Sequence, residues 1–318
     1  MSRSDSGSRR LDDAARAGWL YYVAGNNQEE VARKLNVSRQ TAQRLVSLSV
    51  SEGLVKVRLD HPIGRCMELA AQLKDRYELG LVDVSPSDPD SQSTVIGIAQ
   101  AAGAEMERRL LAPHPIVMAV GTGRSLKAAI DQMGRIEAPQ HKVVSLAGNV
   151  APDGSALFYN VIYSMADTVK ARMFPMPLPV IAASEKERDT LLRQPMVKET
   201  LALAAKADVA FVGIGDLSES APLYLDGFIT REELSALKKA GAVGEIVGWA
   251  FDTQGELING LTNARVANAP LPSRERALVV ALAMGERKLP GIRAALNNKL
   301  INGLMTDEAT AMRLLARR

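Results

Sequence analysis

The chain has 318 residues, 39 Lys plus Arg against 36 Asp plus Glu, and one cysteine; with 47% hydrophobic and 24% charged residues it is long and apolar enough to bury a full core, which excludes disorder as its main state. Cys66 has no partner for an internal disulfide or a zinc cluster, which excludes a disulfide-stapled secreted scaffold. Residues 1–10 lack the apolar core of a signal peptide, and no run reaches the roughly 18 to 20 apolar residues of a membrane helix, so a cytoplasmic protein without a membrane partner is expected.

The net charge of +3 is unevenly spread: of the 39 basic and 36 acidic residues, 10 and 7 lie in residues 1–60, leaving 29 of each sign in the remainder. A break near His61-Pro62 predicts two domains, 1–60 and 61–318. In the first, Leu11, Ala15, Trp19, Tyr22 and Val23 recur at three- and four-residue steps, which predicts the inward face of a helix ending near Gly25-Asn26. Asn27 is a suitable N-cap for a second helix carrying Glu29 and Glu30 at its positive end, with Val31 and Leu35 inward. After a short break at Asn36-Val37, Ser38 caps a third helix, 39–51, with Ala42, Leu45 and Leu48 inward and Arg39, Gln40, Gln43 and Arg44 outward. Gly53 ends it, and the alternation at 54–59 predicts a short strand.

This is the layout of a winged helix-turn-helix, whose second helix enters the major groove of duplex DNA. The outward side chains suit that task. Arg39 and Arg44 can pair bidentately with guanine, Gln40 and Gln43 with adenine, while Ser38 and Thr41 at the helix N-terminus can hold a phosphate oxygen. Lys56 and Arg58 on the strand can reach flanking phosphates. A three-helix packing module with a solvated polar face accounts for the same pattern without DNA. The run from Asn27 to Leu54, "NQEEVARKLNVSRQTAQRLVSLSVSEGL", resembles the helix-turn-helix of the SorC family of sugar-responsive transcriptional regulators, often grouped with DeoR-type regulators.

Between the domains, Met67, Leu69, Ala70, Leu73 and Tyr77 at helical spacing predict a linker helix within 61–81, either a seam for pairing two protomers or a helix packed on its own domain. Beyond it, short apolar runs alternate with helical patterns, which predicts an α/β domain with a mostly parallel sheet. The predicted strands are 116–120, 143–147, 178–182, 209–214, 245–251 and 277–283, with the proline-rich "MFPMPLPV" as a lead into the third. Thr230 and Glu233 form a capping-box signature for a helix over 231–240, closed by Gly241. Thr306 is the predicted N-cap of a last helix that opens with Asp307 and Glu308.

Gly121, Thr122, Gly123, Arg124 and Ser125 follow a predicted strand and precede a helix. Backbone N–H groups, hydroxyls and the helix dipole therefore converge at the carboxyl end of the sheet, where an anion fits. The loop lacks the Walker lysine spacing and the third glycine of the dinucleotide fingerprint, so ATP and NAD are not supported and no cofactor is expected. Gly148-Asn149 and Gly213-Ile214-Gly215 follow other predicted strands along the same edge.

The runs "GTGRSL", "LAGN", "ADVAFVGIG", "YLDGFITREEL", "GAVGEIVGWAFDTQG" and "TDEATA" extend the resemblance to the SorC family over about residues 11 to 316. The resemblance implies a Rossmann-like effector domain similar to sugar-phosphate isomerases and glucosamine-phosphate deaminases, and a homo-oligomer, dimer or tetramer. It further implies that the 121–125 loop holds the phosphate of a sugar phosphate, and that Asp252 and Lys288 reach the ligand's hydroxyls or phosphate. A carboxylate accepts bonds from vicinal hydroxyls and a lysine neutralises phosphate; Asn149 and Asn160 can add orienting bonds. Where many relatives have a glycine pair and often "AGG..K", this chain has "LAGN" and "AMGERK", so the pocket shape differs and an unphosphorylated polyol is also compatible.

Two function classes follow. One is a transcriptional regulator of a carbohydrate or polyol catabolic operon, binding operator DNA and a sugar, sugar-phosphate or polyol effector, without catalysis. The other is an enzyme of the isomerase or deaminase type with an accessory N-terminal domain. Its base would come from Asp208, Asp216, Asp226 or Asp252, since His61, His114 and His141 do not adjoin the glycine loops in sequence. A nucleoid-type DNA protein is disfavoured by the neutral larger domain.

Overall fold

Capping chemistry sets the helices of the N-terminal unit. The computed structural model describes residues 3–56, 63–87, 94–151, 154–155, 157 and 159–316, and the chain divides into two units, Met1–His61 and Pro62–Arg318. In the first, α1 (Arg3–Gly18) continues into a π-helical turn, Trp19–Val23, in which the Ala24 N–H reaches the Trp19 carbonyl at 3.0 Å. In the capping box of α2 (Gln28–Leu35), Asn27 Oδ1 accepts the Glu29 and Glu30 N–H groups at 3.0 Å, and Glu30 Oε2 accepts the Asn27 N–H at 2.8 Å. Asn36 ends α2 in the left-handed region, and Ser38 Oγ accepts the Thr41 N–H at 3.1 Å to open α3 (Arg39–Ser51). Each cap is worth about 1 kcal/mol over alanine. Ala17, Leu20, Val31, Ala32, Ala42 and Val46 form the core.

The face of α1 that packs is not the one the spacing predicts. Ala14, Ala17 and Gly18 are buried, whereas Leu11, Trp19, Tyr22 and Val23 are 40, 55, 41 and 67% exposed. Close approach decides this. A Cβ on Gly18 would lie 2.3 Å from Ser49 Oγ, so α1 meets α3 through its smallest residues and no room remains for an indole. Leu54 to Lys56 form no strand, and the rest of the predicted strand, with Arg58, lies outside the described residues.

The second unit alternates helix and strand. It runs α4 (Gly64–Tyr77), β1 (Leu81–Ser85), α5 (Thr94–Leu110), β2 (Val117–Val120), α6 (Arg124–Gln132), β3 (Ile136–Val150), α7 (Val161–Thr168) and β4 (Val169–Pro179). There follow α8 (Glu185–Leu192), α9 (Pro195–Ala204), β5 (Val209–Gly213), α10 (Pro222–Leu225), α11 (Arg231–Lys239), β6 (Ala242–Ile246) and β7 (Trp249–Asp252). The chain closes with β8 (Leu278–Leu282), α12 (Leu289–Asn297), β9 (Gly303–Asp307) and α13 (Glu308–Leu315). Seven strands form one parallel sheet in the order β1-β9-β8-β5-β2-β3-β4.

Strand side chains alternate between two cores. Met118, Val120, Phe211 and Val280 face α5, α6 and α7, while Ala119, Ala210, Val212 and Val279 face α4, α9, α12 and α13. Burying one leucine-sized side chain in either layer is worth about 1.5–3 kcal/mol. Helices on both faces make the fold doubly wound, and the crevice between β2 and β5, whose following segments diverge, is where such sheets bind ligands. Cys66 is buried in the α4 layer, and burial pushes its thiol up.

Several predicted elements are redrawn. The strand expected at 178–182 is instead β4, which contains Pro175, Pro177 and Pro179; it lies at the edge of the sheet, where a missing N–H costs no ladder bond. The single strand expected at 245–251 is the antiparallel hairpin β6–β7, because Val247 and Gly248, at φ 54° and 81°, turn the chain back. Thr306 is a buried residue of β9, and Asp307, accepting the Thr310 N–H at 3.1 Å, caps α13 in its place. β1 and β9 carry no period-2 alternation that would reveal them. The capping box of Thr230 and Glu233 and the left-handed Gly241 are as predicted.

Candidate functional site

A cavity of about 440 Å³ opens at the carboxyl end of the sheet beside β2 and β5. Thr122, Gly123, Arg124 and Ser125 form one wall, Gly213 to Asp216 a second, and Glu245, Val247 and Gly248 of the hairpin a third. Leu223, Phe228, Leu157 and Val180 supply apolar surface, and Asp226, Asn268 and Lys288 add polar groups. A few convergent polar groups in an otherwise apolar cleft are what a small-molecule site requires.

The local structure explains the placement. β2 ends at Val120, and the Gly121 N–H bonds to the Phe211 carbonyl at 2.8 Å, so the chain turns out of the sheet at its edge. Thr122 Oγ1 donates to the Tyr159 carbonyl at 2.6 Å, anchoring the loop to the segment after β3. The amphipathic α6 buries Leu126, Ala129 and Ile130, and its first turn has no side-chain cap, which leaves its N–H groups directed at the cavity end of the helix.

Glu245 and Lys288 carry the distinctive electrostatics. Glu245 pairs through its backbone with Gly215 at 2.9 and 3.0 Å, and its Oε2 accepts the Gly248 N–H at 2.7 Å. It fits only because residue 215 has no side chain: a Cβ there would meet Glu245 Oε1 at 2.0 Å. Burial raises the Glu245 carboxyl above its ordinary value, against the lowering influence of the Gly248 amide and Lys288, and Asp216 pushes it further up. Burial likewise lowers the Lys288 ammonium, opposed by Glu245 and Asp216 and reinforced by Arg124. The Lys288 ammonium makes no hydrogen bond or close ion pair with a described residue. The site thus holds an under-solvated cation beside a second one, which gains by receiving an anion.

Asn268 ties the end of β3 to the β6–β7 turn. Only 2% exposed, it accepts the Gly148 N–H at 2.7 Å through Oδ1 and donates through Nδ2 to the Val247 carbonyl at 2.7 Å. The loop after β5 is held over the cavity by Arg287, which donates to Ser220 Oγ at 2.6 Å, and by Arg231 beside Glu219 at 3.2 Å.

Of the predicted effector residues, Thr122, Gly123, Arg124, Ser125 and Lys288 line this cavity together. Gly121 lies just behind them in the turn. Three others stand outside the lining. Asn149 donates to Tyr163 Oη at 3.0 Å and keeps a buried, unpartnered Oδ1; Asn160 occupies the N-cap position of α7. Asp252 accepts the Gln254 and Glu256 N–H groups at 2.8 and 3.0 Å, which commits its Oδ1 to the turn after β7. Glu245, Asn268 and Phe228 line the cavity without having been foreseen. A lone carboxylate inside the apolar "GAVGEIVG" run was the available signal for Glu245, whereas Asn268 lies in an irregular segment with none.

In the N-terminal unit, Arg39, Gln40, Gln43 and Arg44 are exposed on α3, and Arg39 lies 3.6 Å from Glu29. Ser38 and Thr41, also exposed, share a 2.9 Å hydroxyl hydrogen bond at the helix start, and Lys56 is exposed.

Comparison with known proteins gives a consistent result. Residues 61–316 match the family profile described as "Putative sugar-binding domain". The chain is similar to the erythritol catabolism regulatory protein EryD of Brucella abortus (strain 2308), at 32% identity over 95% of this chain and 96% of that protein. It is similar to the transcriptional regulator LsrR of Escherichia coli (strain K12), at 31% identity over 98% and 97% of the two chains. Its fold is similar to that of the full-length sorbitol operon regulator SorC from Klebsiella pneumoniae, with a TM-score of 0.70 at 23% identity, covering 96% of this chain and 99% of that one.

Proposed function

The chain belongs to the family of transcriptional regulators that carry this sugar-binding domain, and from that premise we propose how its two units divide the work: residues 1–60 bind operator DNA as a winged helix-turn-helix, and residues 61–318 bind the effector and assemble the oligomer. The regulated operon serves carbohydrate or polyol catabolism. On α3, Arg39, Gln40, Gln43 and Arg44 read base edges, with Ser38, Thr41, Lys56 and Arg58 on phosphates.

The effector is a phosphorylated sugar or polyol held in the cavity at 121–125. The observation that carries this is the pairing of the uncapped α6 N-terminus and Arg124 with the half-buried Lys288, whose ammonium is unbonded among the described residues. Glu245, Asp216, Asp226 and Asn268 then receive the hydroxyls of the carbon chain. Effector binding changes operator affinity, a coupling between two binding free energies.

The test is a thermal-shift and calorimetric panel of sugar phosphates, polyol phosphates, free sugars, free polyols and inorganic phosphate, followed by operator anisotropy with each ligand that binds. A phosphorylated compound is expected to raise the melting temperature by mass action and to alter operator affinity without being consumed. Binding of free polyols alone would overturn the phosphate assignment, and steady product formation would overturn the regulator reading in favour of catalysis.

A further inference from the structure

The pentapeptide Leu-Ile-Asn-Gly-Leu occurs twice in the chain, at 257–261 and at 300–304. An asparagine before a glycine carries its own electrophile and nucleophile. The side-chain carbonyl carbon can reach the glycine backbone nitrogen, and a glycine has no Cβ to obstruct the approach. Because the local sequence is the same, the fold decides how the two copies differ.

The second copy is locked. Asn302 Oδ1 accepts the Val279 N–H at 2.6 Å, and its Nδ2 donates to the Arg274 and Ala277 carbonyls at 3.0 and 2.9 Å. The Asn302 N–H bonds to the Val279 carbonyl at 3.1 Å, and the Asn302 carbonyl accepts the Gly80 N–H at 2.8 Å. Gly303 is buried in β9 between β1 and β8, where a Cβ would lie 2.9 Å from Val280 Cγ2. Turning the Asn302 amide toward the Gly303 nitrogen breaks all three side-chain hydrogen bonds and requires local opening of the sheet. The first copy is free. Asn259 and Gly260 are exposed, and neither the Asn259 side chain nor the Gly260 N–H makes a hydrogen bond with a described residue. Gly260 lies at φ 67°, with open space where a Cβ would stand. The chain on either side is held: the Ile258 N–H bonds to the Ala250 carbonyl at 3.0 Å, and the Ile258 carbonyl accepts Asn263 Nδ2 at 2.7 Å.

We propose that Asn259 is a site of spontaneous deamidation in the folded protein, whereas the same sequence at Asn302 is protected. The Gly260 nitrogen gives its proton to solvent hydroxide and attacks Asn259 Cγ. The new C–N bond closes a five-membered succinimide while the Cγ–Nδ2 bond breaks, and Nδ2 leaves as ammonia with a proton from water. Water then opens the ring at either carbonyl, giving aspartate or isoaspartate. The modified chain carries one acidic residue more than the original 36, against 39 basic ones. This site is independent of the effector reading.

The experiment ages full-length protein in a mildly alkaline buffer, native or in guanidinium chloride. Trypsin then separates the two copies, in peptides 240–265 and 300–313, and fragmentation mass spectrometry locates the acid. In the native protein conversion at Asn259 is expected to be at least about 100-fold faster than at Asn302, because three hydrogen bonds hold only the second amide; in denaturant the difference should vanish. Asn259→Gln, at an exposed position, should remove the acidic form that ion exchange resolves from the aged protein. No conversion at Asn259, a smaller native ratio, a ratio that persists in denaturant, acid at Asn263 instead, or an acidic form that survives in Asn259→Gln would overturn the proposal.

Discussion

Replacing Asn268 by leucine tests whether one buried amide holds the cavity beside β2 and β5 open. Leucine keeps the branching at Cγ but is bulkier, so the change leaves no cavity and removes the hydrogen bonding, with some overpacking added. Leucine leaves the Gly148 N–H and the Val247 carbonyl, both now bonded at 2.7 Å, without partners in a site where residue 268 is 2% exposed. Each unsatisfied buried backbone group costs about 1–3 kcal/mol, so the larger unit should lose about 2–6 kcal/mol. Urea unfolding measures this loss. Trp249, whose indole N–H lies 3.4 Å from the Ala269 carbonyl, reports locally on the same brace when Trp19 is changed to phenylalanine. Effector affinity should fall as well, because the end of β3 and the 247 turn are freed together. A loss below about 1 kcal/mol with unchanged Trp249 emission would refute the reasoning, since it would mean that water or relaxation satisfies both groups at little cost.

Three further outcomes follow from the site and from α3. If a phosphate dianion sits beside Lys288, it favours the ammonium that burial weakens; at pH values near the lowered lysine value, calorimetry in buffers of different ionisation enthalpy should then show proton uptake on binding, affinity should fall as pH rises through that value, and Lys288→Gln should abolish both. Glu245 has a raised folded-state value, so its contribution is fully present below 4.5 and is lost as pH rises through the folded value; Glu245→Gln, which keeps an acceptor for Gly248, should raise the melting temperature at neutral pH and flatten that slope. If α3 reads bases, Arg39→Ala or Gln43→Ala should each cost about 1–3 kcal/mol of discrimination between operator and a mismatched site, measured by competition anisotropy; unchanged discrimination in both would remove the recognition assignment.

What the sequence by itself determined is whatever depends on neighbours in the chain. The caps at Asn27, Ser38 and Thr230, the glycine turn after β2 and the central strands β2, β3, β5 and β8 are local consequences of side-chain chemistry and apolar runs, and they were legible without coordinates. The tertiary structure alone decided which faces pack and which distant groups meet. Proline could enter β4 only because that strand lies at the sheet edge, and α1 turned its small residues inward because Ser49 of α3 demands close approach. Lys288 gained its neighbour Glu245 only when the hairpin folded back on the β5 loop, and Asp252, equally plausible in one dimension, was spent on a turn. Periodicity records that a face is apolar, but burial is settled by whether another element can reach it. For Trp19 none in its own unit does.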